Sequence, residues 1–174
     1  MTAPLIETAR LRLRPHDIGD YDAVHALWSE PQVFRHITGK PATREEAWGR
    51  LLRYVGHWQL MGFGYWAIED KAGDFIGEAG FANFRRDMEP SFGDTPEMGW
   101  VLSSRHHRKG YGSEALTAIL QWAKANLASD RAACMIAPEN EASLALARKM
   151  GFIDHGLARY HGDIALLLEL KLRP

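Results

Sequence analysis

The sequence of 174 residues contains a single cysteine, Cys134. One cysteine excludes an internal disulfide and any zinc site built from several cysteines. The chain also lacks a run of eighteen apolar residues, which argues against a membrane-spanning helix. The stretch up to Pro15 has no apolar segment of the kind that a signal peptide needs. We therefore expect a soluble, cytoplasmic protein.

The chain has no excess of either charge. It has 21 Lys and Arg residues and 22 Asp and Glu residues, which gives a formal net charge of -1. This balance provides no general attraction to nucleic acid or to an anionic membrane, so we expect neither as a partner. Hydrophobic residues make up 46% and charged residues 25%, as is usual in soluble globular proteins. We find no repeat or linker, and we expect residues 1–174 to form a single domain.

Hydrophobic periodicity predicts a mixed sheet covered by helices. Leu11 and Leu13 alternate with arginines, which predicts a strand over residues 6–14. A capping box that begins at Thr43 starts a helix ending near Gly62. Further strands are predicted at residues 64–69, 74–85, 97–102, 132–137, 152–160 and 164–172, and further helices at residues 17–30, 113–127 and 140–150.

The order of these elements sets the fold class. The second half of the chain contains a strand–helix–strand unit, which implies a parallel crossover, whereas the earlier strands suit hairpins. We therefore expect an α/β (α+β) fold with a mixed, largely antiparallel sheet of six to seven strands and helices on both faces.

The most informative segment lies between residues 97 and 115. A predicted strand ends at Leu102, a basic loop follows, and Gly110-Tyr111-Gly112 then leads into a helix. Glycines allow the backbone to approach a ligand closely, and successive N–H groups at a helix start can cradle an anion. The loop therefore predicts a diphosphate-binding site, to which five basic residues contribute: Arg105, His106, His107, Arg108 and Lys109.

Two other interpretations of this segment remain open. A basic turn in front of an ordinary helix would need no ligand. The spacing Gly110-x-Gly112-x-x-Ala115 also matches the dinucleotide fingerprint of oxidoreductases. That fingerprint directly follows its strand, whereas here seven residues separate Leu102 from Gly110, which disfavours the dinucleotide interpretation.

These residues resemble the GNAT superfamily of acyl-CoA-dependent N-acyltransferases. Its signature, Gln/Arg-x-x-Gly-x-Gly/Ala, binds the pyrophosphate of CoA and here reads His107-Arg108-Lys109-Gly110-Tyr111-Gly112, with His in the first position. A second block, residues 140–152, resembles the family pattern Asn-x-x-Ser…Lys-x-Gly-Phe. Residues 7–14 and 97–102 resemble the branch that acetylates the N-termini of ribosomal proteins (RimJ/RimL type).

The resemblance implies an N-acetyltransferase that needs acetyl-CoA and no metal. Its acceptor would be a primary amine, either a protein N-terminal α-amine or a small amine, which attacks directly in a ternary complex. The resemblance makes Glu97 the general base and Ser143 the group that stabilises or protonates the leaving thiolate. It implies a set of CoA-binding residues: Trp100, Val101, Leu102, His107, Arg108, Lys109, Gly110, Tyr111, Gly112, Ser113 and Asn140.

Simpler roles exist for three of these residues. Glu97 also suits an exposed strand-edge carboxylate or a salt-bridge partner for the basic loop. Ser143 could bond the backbone of Asn140, and Asn140 could act only as a helix cap. For the whole protein, the alternative is a CoA-binding regulatory module without catalysis. The sequence leaves the acceptor open, and a homodimer is an expectation from the resemblance alone.

Overall fold

The computed structural model of the protein describes residues 2–173. Within this part of the chain, eight strands form one continuous sheet. The strands are β1 (Ile6–Glu7), β2 (Leu11–Arg14), β3 (Tyr65–Asp70), β4 (Phe75–Ala82), β5 (Glu97–Leu102), β6 (Arg131–Ile136), β7 (Ile153–Tyr160) and β8 (Asp163–Lys171). The α-helices are α1 (Tyr21–Trp28), α2 (Pro31–Phe34), α3 (Arg44–Met61), α4 (Tyr111–Asn126) and α5 (Glu141–Lys149).

The strands lie in the order β1-β2-β3-β4-β5-β6-β8-β7. Neighbouring strands are antiparallel except β5 and β6, which are parallel. The chain passes from β5 to β6 through α4, since parallel neighbours need a long crossover. The predicted mixed, largely antiparallel sheet is therefore confirmed.

The strand count is eight rather than six to seven because the predicted first strand folds back on itself. Ile6 pairs with Leu13 across β1 and β2, so residues 8–10 form a tight connection. The Thr8 N–H donates to the Leu11 carbonyl at 2.9 Å, and the Leu11 N–H donates to the Thr8 hydroxyl at 2.9 Å. A polar side chain that bonds nearby backbone competes with a straight strand, and alternation of apolar residues does not reveal such a turn.

Helices cover both faces of the sheet, as predicted. Val101 shares a buried cluster with Val24 of α1 and Leu51 of α3. Met98 points to the opposite face, because side chains alternate along a strand, and shares a cluster with Leu116 of α4. Strand β5 thus lies between α1 and α3 on one side and α4 on the other.

Three elements begin or end at residues other than those predicted. The helix predicted over residues 17–30 is a 3-10 turn, Ile18–Asp20, followed by α1. The strand predicted over residues 74–85 ends at Ala82, and a loop leads from there to β5. Helix α4 begins two residues earlier than predicted, since Gly110 forms its N-cap at a φ of 80°.

Gly99 in the middle of β5 is required by a close contact. The Tyr65 ring stacks on Tyr54 with 4.8 Å between centroids, and the Tyr54 hydroxyl donates to the Glu78 carboxylate, which holds the stack in place. A Cβ atom at residue 99 would lie 2.0 Å from Oη of Tyr65. The aromatic stack therefore sits directly on the β5 backbone.

We expect Gly99→Ala to lower the free energy of unfolding by about 1–3 kcal/mol, because the added methyl overpacks this contact. Tyr65→Phe removes the hydroxyl and leaves Cζ, at 3.2 Å, as the nearest ring atom. The double variant should therefore lose less stability than the two single variants together. Urea unfolding of all four proteins measures this, and strictly additive losses would contradict the contact.

Candidate active site

Strands β5 and β6 separate almost as soon as they meet. Within residues 2–173 their pairing consists of one register position, Glu97 opposite Ala133. There the Ala133 N–H donates to the Pro96 carbonyl at 3.0 Å. On its other side, β5 pairs with β4 from Glu97 through Leu102. A wedge therefore opens beside β5 toward its carboxyl end; we call it the β5–β6 wedge.

Alternation decides which backbone groups face this wedge. The Ser103 N–H donates to the Ile76 carbonyl of β4 at 2.9 Å, so odd-numbered residues of β5 direct their N–H and C=O groups to β4. Trp100 and Leu102 direct theirs to the wedge. The backbone groups of Val101 pair with β4 and not with the wedge, although the resemblance places Val101 among the CoA-binding residues.

The loop after β5 has a backbone typical of anion sites. A 3-10 turn, Ser104–His106, is followed by Arg108 at a φ of 59° and Gly110 at a φ of 80°. Successive residues with right-handed and left-handed helical backbone conformations form a concave nest of N–H groups that can bind an anion. Helix α4 starts at Tyr111 and adds its unpaired N–H groups and positive dipole end.

Side chains from distant elements fix this loop at its start. The Ser104 N–H donates to Oε2 of Glu30 at 2.8 Å, and the His107 ring bonds the Leu102 carbonyl at 2.8 Å through Nε2. Partial burial would raise the pKa of Glu30, but the hydrogen bond from the Ser104 N–H and the polar surroundings outweigh it and hold the pKa below its ordinary value. His107, placed among the CoA-binding residues by resemblance, thus also has a structural partner.

The loop carries positively charged side chains that form no ion pair within the described chain. The side chains of Arg105, Arg108 and Lys109 are exposed. None of the three has an ion-pair partner among residues 2–173. They surround the start of α4, where they attract an anionic group.

The second motif block lies beside the first. A Cβ atom on Gly112 would be 3.0 Å from Cδ2 of Leu146 in α5 and 3.3 Å from Cδ1 of Leu102. Lys149 of α5 donates from Nζ to the Ser113 hydroxyl at 3.1 Å. Helix α5 is therefore packed against the first turn of α4 and the end of β5.

Asn140 and Ser143 form the cap of α5. Oδ1 of Asn140 accepts from the backbone N–H of Ser143 at 3.2 Å. The Ser143 hydroxyl takes no part in this cap and makes no hydrogen bond within the described chain. The half-buried hydroxyl is available for another role.

Glu97 is 7% exposed and pairs with Arg86. Nε of Arg86 donates to Oε2 and Nη2 donates to Oε1, both at 2.8 Å. The Arg86 guanidinium also lies over the rings of Phe84 and Tyr160, 4.4 Å and 4.8 Å from their centroids. Of the roles left open by the sequence, the edge carboxylate and the partner of the basic loop do not fit. Each carboxylate oxygen keeps a further lone pair, so a proton-accepting role remains.

A cavity of about 310 Å³ adjoins this ion pair. It is lined by residues 82–86, residues 91–95 and Glu97. Its walls belong to the loop between β4 and β5. This loop is also tied to β7 through a bridge between Glu89 and Arg159. The cavity thus lies beside the amino end of β5, where the β5–β6 wedge begins.

Sequence reasoning missed the partners of the site residues. Arg86 and Glu30 lie in segments where a charged residue is unremarkable, so no spacing identified them as anchors. No group of three or more His, Cys, Asp or Glu side chains in residues 2–173 is arranged to hold a metal ion. In the same part of the chain, no helix has the length and apolar character needed to span a bilayer.

The acetyltransferase (GNAT) domain family matches residues 10–153 of the chain. The chain belongs to the GNAT family. An uncharacterized N-acetyltransferase of Bacillus licheniformis, p20, is 27% identical over 154 residues, which cover 87% of this chain and 84% of that protein. The GNAT fold and acyltransferase class inferred from the two motif blocks are therefore confirmed.

Solved structures agree with this assignment. A structure from Bordetella pertussis, assigned to the same family, has a TM-score of 0.85 at 30% identity and covers 99% of this chain and 100% of that chain. RimL, a ribosomal L7/L12 α-N-protein acetyltransferase solved with coenzyme A, has a TM-score of 0.79 at 19% identity, covering 97% and 98%. At that identity, RimL shows that the GNAT fold is shared.

The left-handed backbone of Arg108 gives a test of strain in the loop between β5 and α4. A left-handed non-glycine residue costs about 1–2 kcal/mol, partly offset by the larger unfolded-state entropy of glycine. Arg108→Gly should therefore unfold with a free energy about 0.5–1 kcal/mol higher than that of Arg108→Ala. Both variants lose the same side chain, so chemical denaturation compares backbone effects alone. Equal stabilities would contradict a strained loop.

Proposed function

We propose that this GNAT enzyme transfers an acetyl group from acetyl-CoA to a primary amine, by direct attack in a ternary complex. The observation that carries the proposal is the β5–β6 wedge, which opens beside the nest of residues 107–112 at the start of α4. A long ligand with amide groups at one end and a diphosphate at the other is matched by this arrangement.

The residues present fit CoA. The wedge offers the backbone N–H and carbonyl of Trp100 and the N–H of Leu102, whose carbonyl bonds His107. The amide-bearing pantetheine arm would pair with these groups as an added strand does. The nest and the exposed side chains of Arg108 and Lys109 suit the diphosphate. The remaining proposed contacts come from residues around this loop and from the cap of α5: His107, Gly110, Tyr111, Gly112, Ser113 and Asn140.

When bound, acetyl-CoA supplies an acetyl thioester that is open to attack by an amine. An alkyl amine has a pKa near ~10 and is mostly protonated at neutral pH, so the site must accept a proton. We assign that role to Glu97, directly or through water. The Ser143 hydroxyl would donate a hydrogen bond to the leaving sulfur.

The acceptor is proposed to enter through the cavity beside Glu97. Its walls carry Phe84, Phe92 and the acidic Asp94, a combination that suits an amine attached to an apolar or peptide group. The class includes protein N-terminal α-amines, on which RimL acts, and small amines. A catalytically silent CoA-binding module would share the wedge and the nest, and only a transfer assay separates it from the enzyme.

The proposal predicts binding of both acetyl-CoA and CoA, and acetyl transfer to an amine. Ligand at 100 times its Kd should raise the free energy of unfolding by about 2.7 kcal/mol, whereas NAD should leave it unchanged. Thermal unfolding with each ligand measures this. A panel of peptide N-termini, polyamines and aminoglycosides, followed by thiol release, then identifies the acceptor. Absence of stabilisation by either CoA ligand would refute the proposal, and binding without transfer would leave the silent module.

Substitutions test the catalytic residues once an acceptor is known. Glu97→Gln should lower kcat by about 10²–10⁴-fold, the usual contribution of a general base. Ser143→Ala should lower kcat by about tenfold, since one hydrogen bond to the leaving thiolate is lost. The KM for acetyl-CoA should change little in both variants.

Ser143→Ala is a clean variant because the cap of α5 uses the backbone N–H of residue 143, which alanine retains. Ser129→Ala serves as its matched control, since the Ser129 hydroxyl bonds the Arg131 carbonyl at the start of β6. Full kcat in both Glu97→Gln and Ser143→Ala would disprove the assigned roles.

A further inference from the structure

We propose that Arg10 and Glu114 act as positioning residues for CoA binding. They would set the orientation of residues 107–112, which we call the phosphate loop. The inference rests on the proposed binding of CoA by residues 107–112. Arg10 lies in the connection between β1 and β2, and Glu114 lies in the first turn of α4. The two side chains join the start of the chain to the loop, 104 residues away.

The Glu114 carboxylate is fully engaged by the β1–β2 connection. Its Oε1 accepts from the Thr8 hydroxyl at 2.6 Å and from the Arg10 backbone N–H at 2.8 Å. Its Oε2 accepts from Nε of Arg10 at 2.7 Å. Partial burial would raise the pKa of Glu114, but these three hydrogen bonds outweigh it and keep the pKa below its ordinary value.

Arg10 uses its remaining donors on the phosphate loop. Nη1 donates to the Lys109 carbonyl at 2.8 Å, and the guanidinium lies 4.6 Å from the centroid of the Tyr111 ring. A Cβ atom on Gly110 would be 3.2 Å from Nη2 of Arg10. The guanidinium therefore contacts three consecutive residues, 109–111, while Glu114 fixes its own orientation.

The bond to Lys109 determines where the next N–H points. In a planar trans peptide, the carbonyl of one residue and the N–H of the next point in opposite directions. Since Arg10 holds the Lys109 carbonyl, the Gly110 N–H is directed away from Arg10. That N–H belongs to the nest, so the clamp of Arg10 and Glu114 presents it to the anion.

The pair could affect CoA binding by orienting the loop or by attracting the diphosphate, and the two roles predict opposite effects of replacing Glu114. The pair carries one positive and one negative charge, and removing the carboxylate charge would strengthen the attraction of a diphosphate. If the pair acts by orientation, removing either partner frees the Lys109 peptide and weakens binding. The sign of the change caused by Glu114→Gln therefore separates the two roles.

The matched control lies on the next strand. Arg12 forms an ion pair with Glu7 at 2.9 Å, and its side chain is 51% exposed, against 48% for Arg10. Arg12→Ala thus removes the same side chain and charge from the same region without releasing the loop. Exposed ion pairs add little to folding stability, so the variants should remain folded.

Isothermal titration with CoA gives the test. We expect Arg10→Ala and Glu114→Gln each to raise the Kd for CoA about tenfold, and Arg12→Ala to change it less than about twofold. The Kd of the double variant Arg10→Ala/Glu114→Gln should lie within about twofold of the Kd of either single variant, because both substitutions break the same interaction. Arg10→Lys should also bind weakly, since an ammonium lacks the guanidinium fork.

The outcomes separate this inference from the proposed function. If the unmodified enzyme does not bind CoA, the proposed function fails. If it binds CoA and Glu114→Gln binds as well or better, the positioning role is wrong. The same holds if Arg10→Ala and Arg12→Ala have equal effects. Should Arg10→Ala fail to fold, Arg10→Lys is compared with Arg12→Ala in its place. A Kd of Arg10→Lys for CoA equal to that of the unmodified enzyme would then overturn the inference.

Discussion

The early separation of β5 and β6 is the constraint on which the site depends. A central strand normally satisfies its backbone groups on both sides, and unpaired groups cost free energy unless water or a ligand replaces the missing partner. Here the pairing stops after Glu97 and Ala133. Because the two strands are parallel, the helices that follow them, α4 and α5, begin at the same edge of the sheet. The wedge, the phosphate loop and the cap of α5 therefore converge.

The sequence predicted the elements of this arrangement because their signals are local. The glycines of residues 110–112, the capping box at Thr43 and the alternation in β2 each act within a few residues. Contacts between distant residues carry no such signal. Arg86 reaches Glu97 across a loop, and Glu30 reaches Ser104 from another layer. The fold class was accessible from the sequence, whereas the partners that hold the site residues were visible only in three dimensions.

The near-neutral net charge of -1 conceals an uneven distribution. Several arginines are neutralised by carboxylates, as Arg14 is by Asp20 at 2.6 Å and Arg86 by Glu97 at 2.8 Å. In the proposed phosphate loop, Arg105, Arg108 and Lys109 have no such partner among residues 2–173. Positive charge is therefore left at the start of α4, because many of the carboxylates are paired with other arginines. The net charge of the sequence cannot show this distribution. This is why a chain with almost no net charge can provide the proposed site for a polyanion.

The Arg86–Glu97 pair links the proposed base to the proposed acceptor cavity. A carboxylate that is 7% exposed is costly without a compensating charge, and Arg86 supplies that charge before any acceptor enters. Arg86 also forms part of the cavity wall and packs on Phe84 and Tyr160. The position of the loop between β4 and β5 and the orientation of the Glu97 carboxylate are therefore coupled. An acceptor that moves this loop must also move the group proposed to receive its proton.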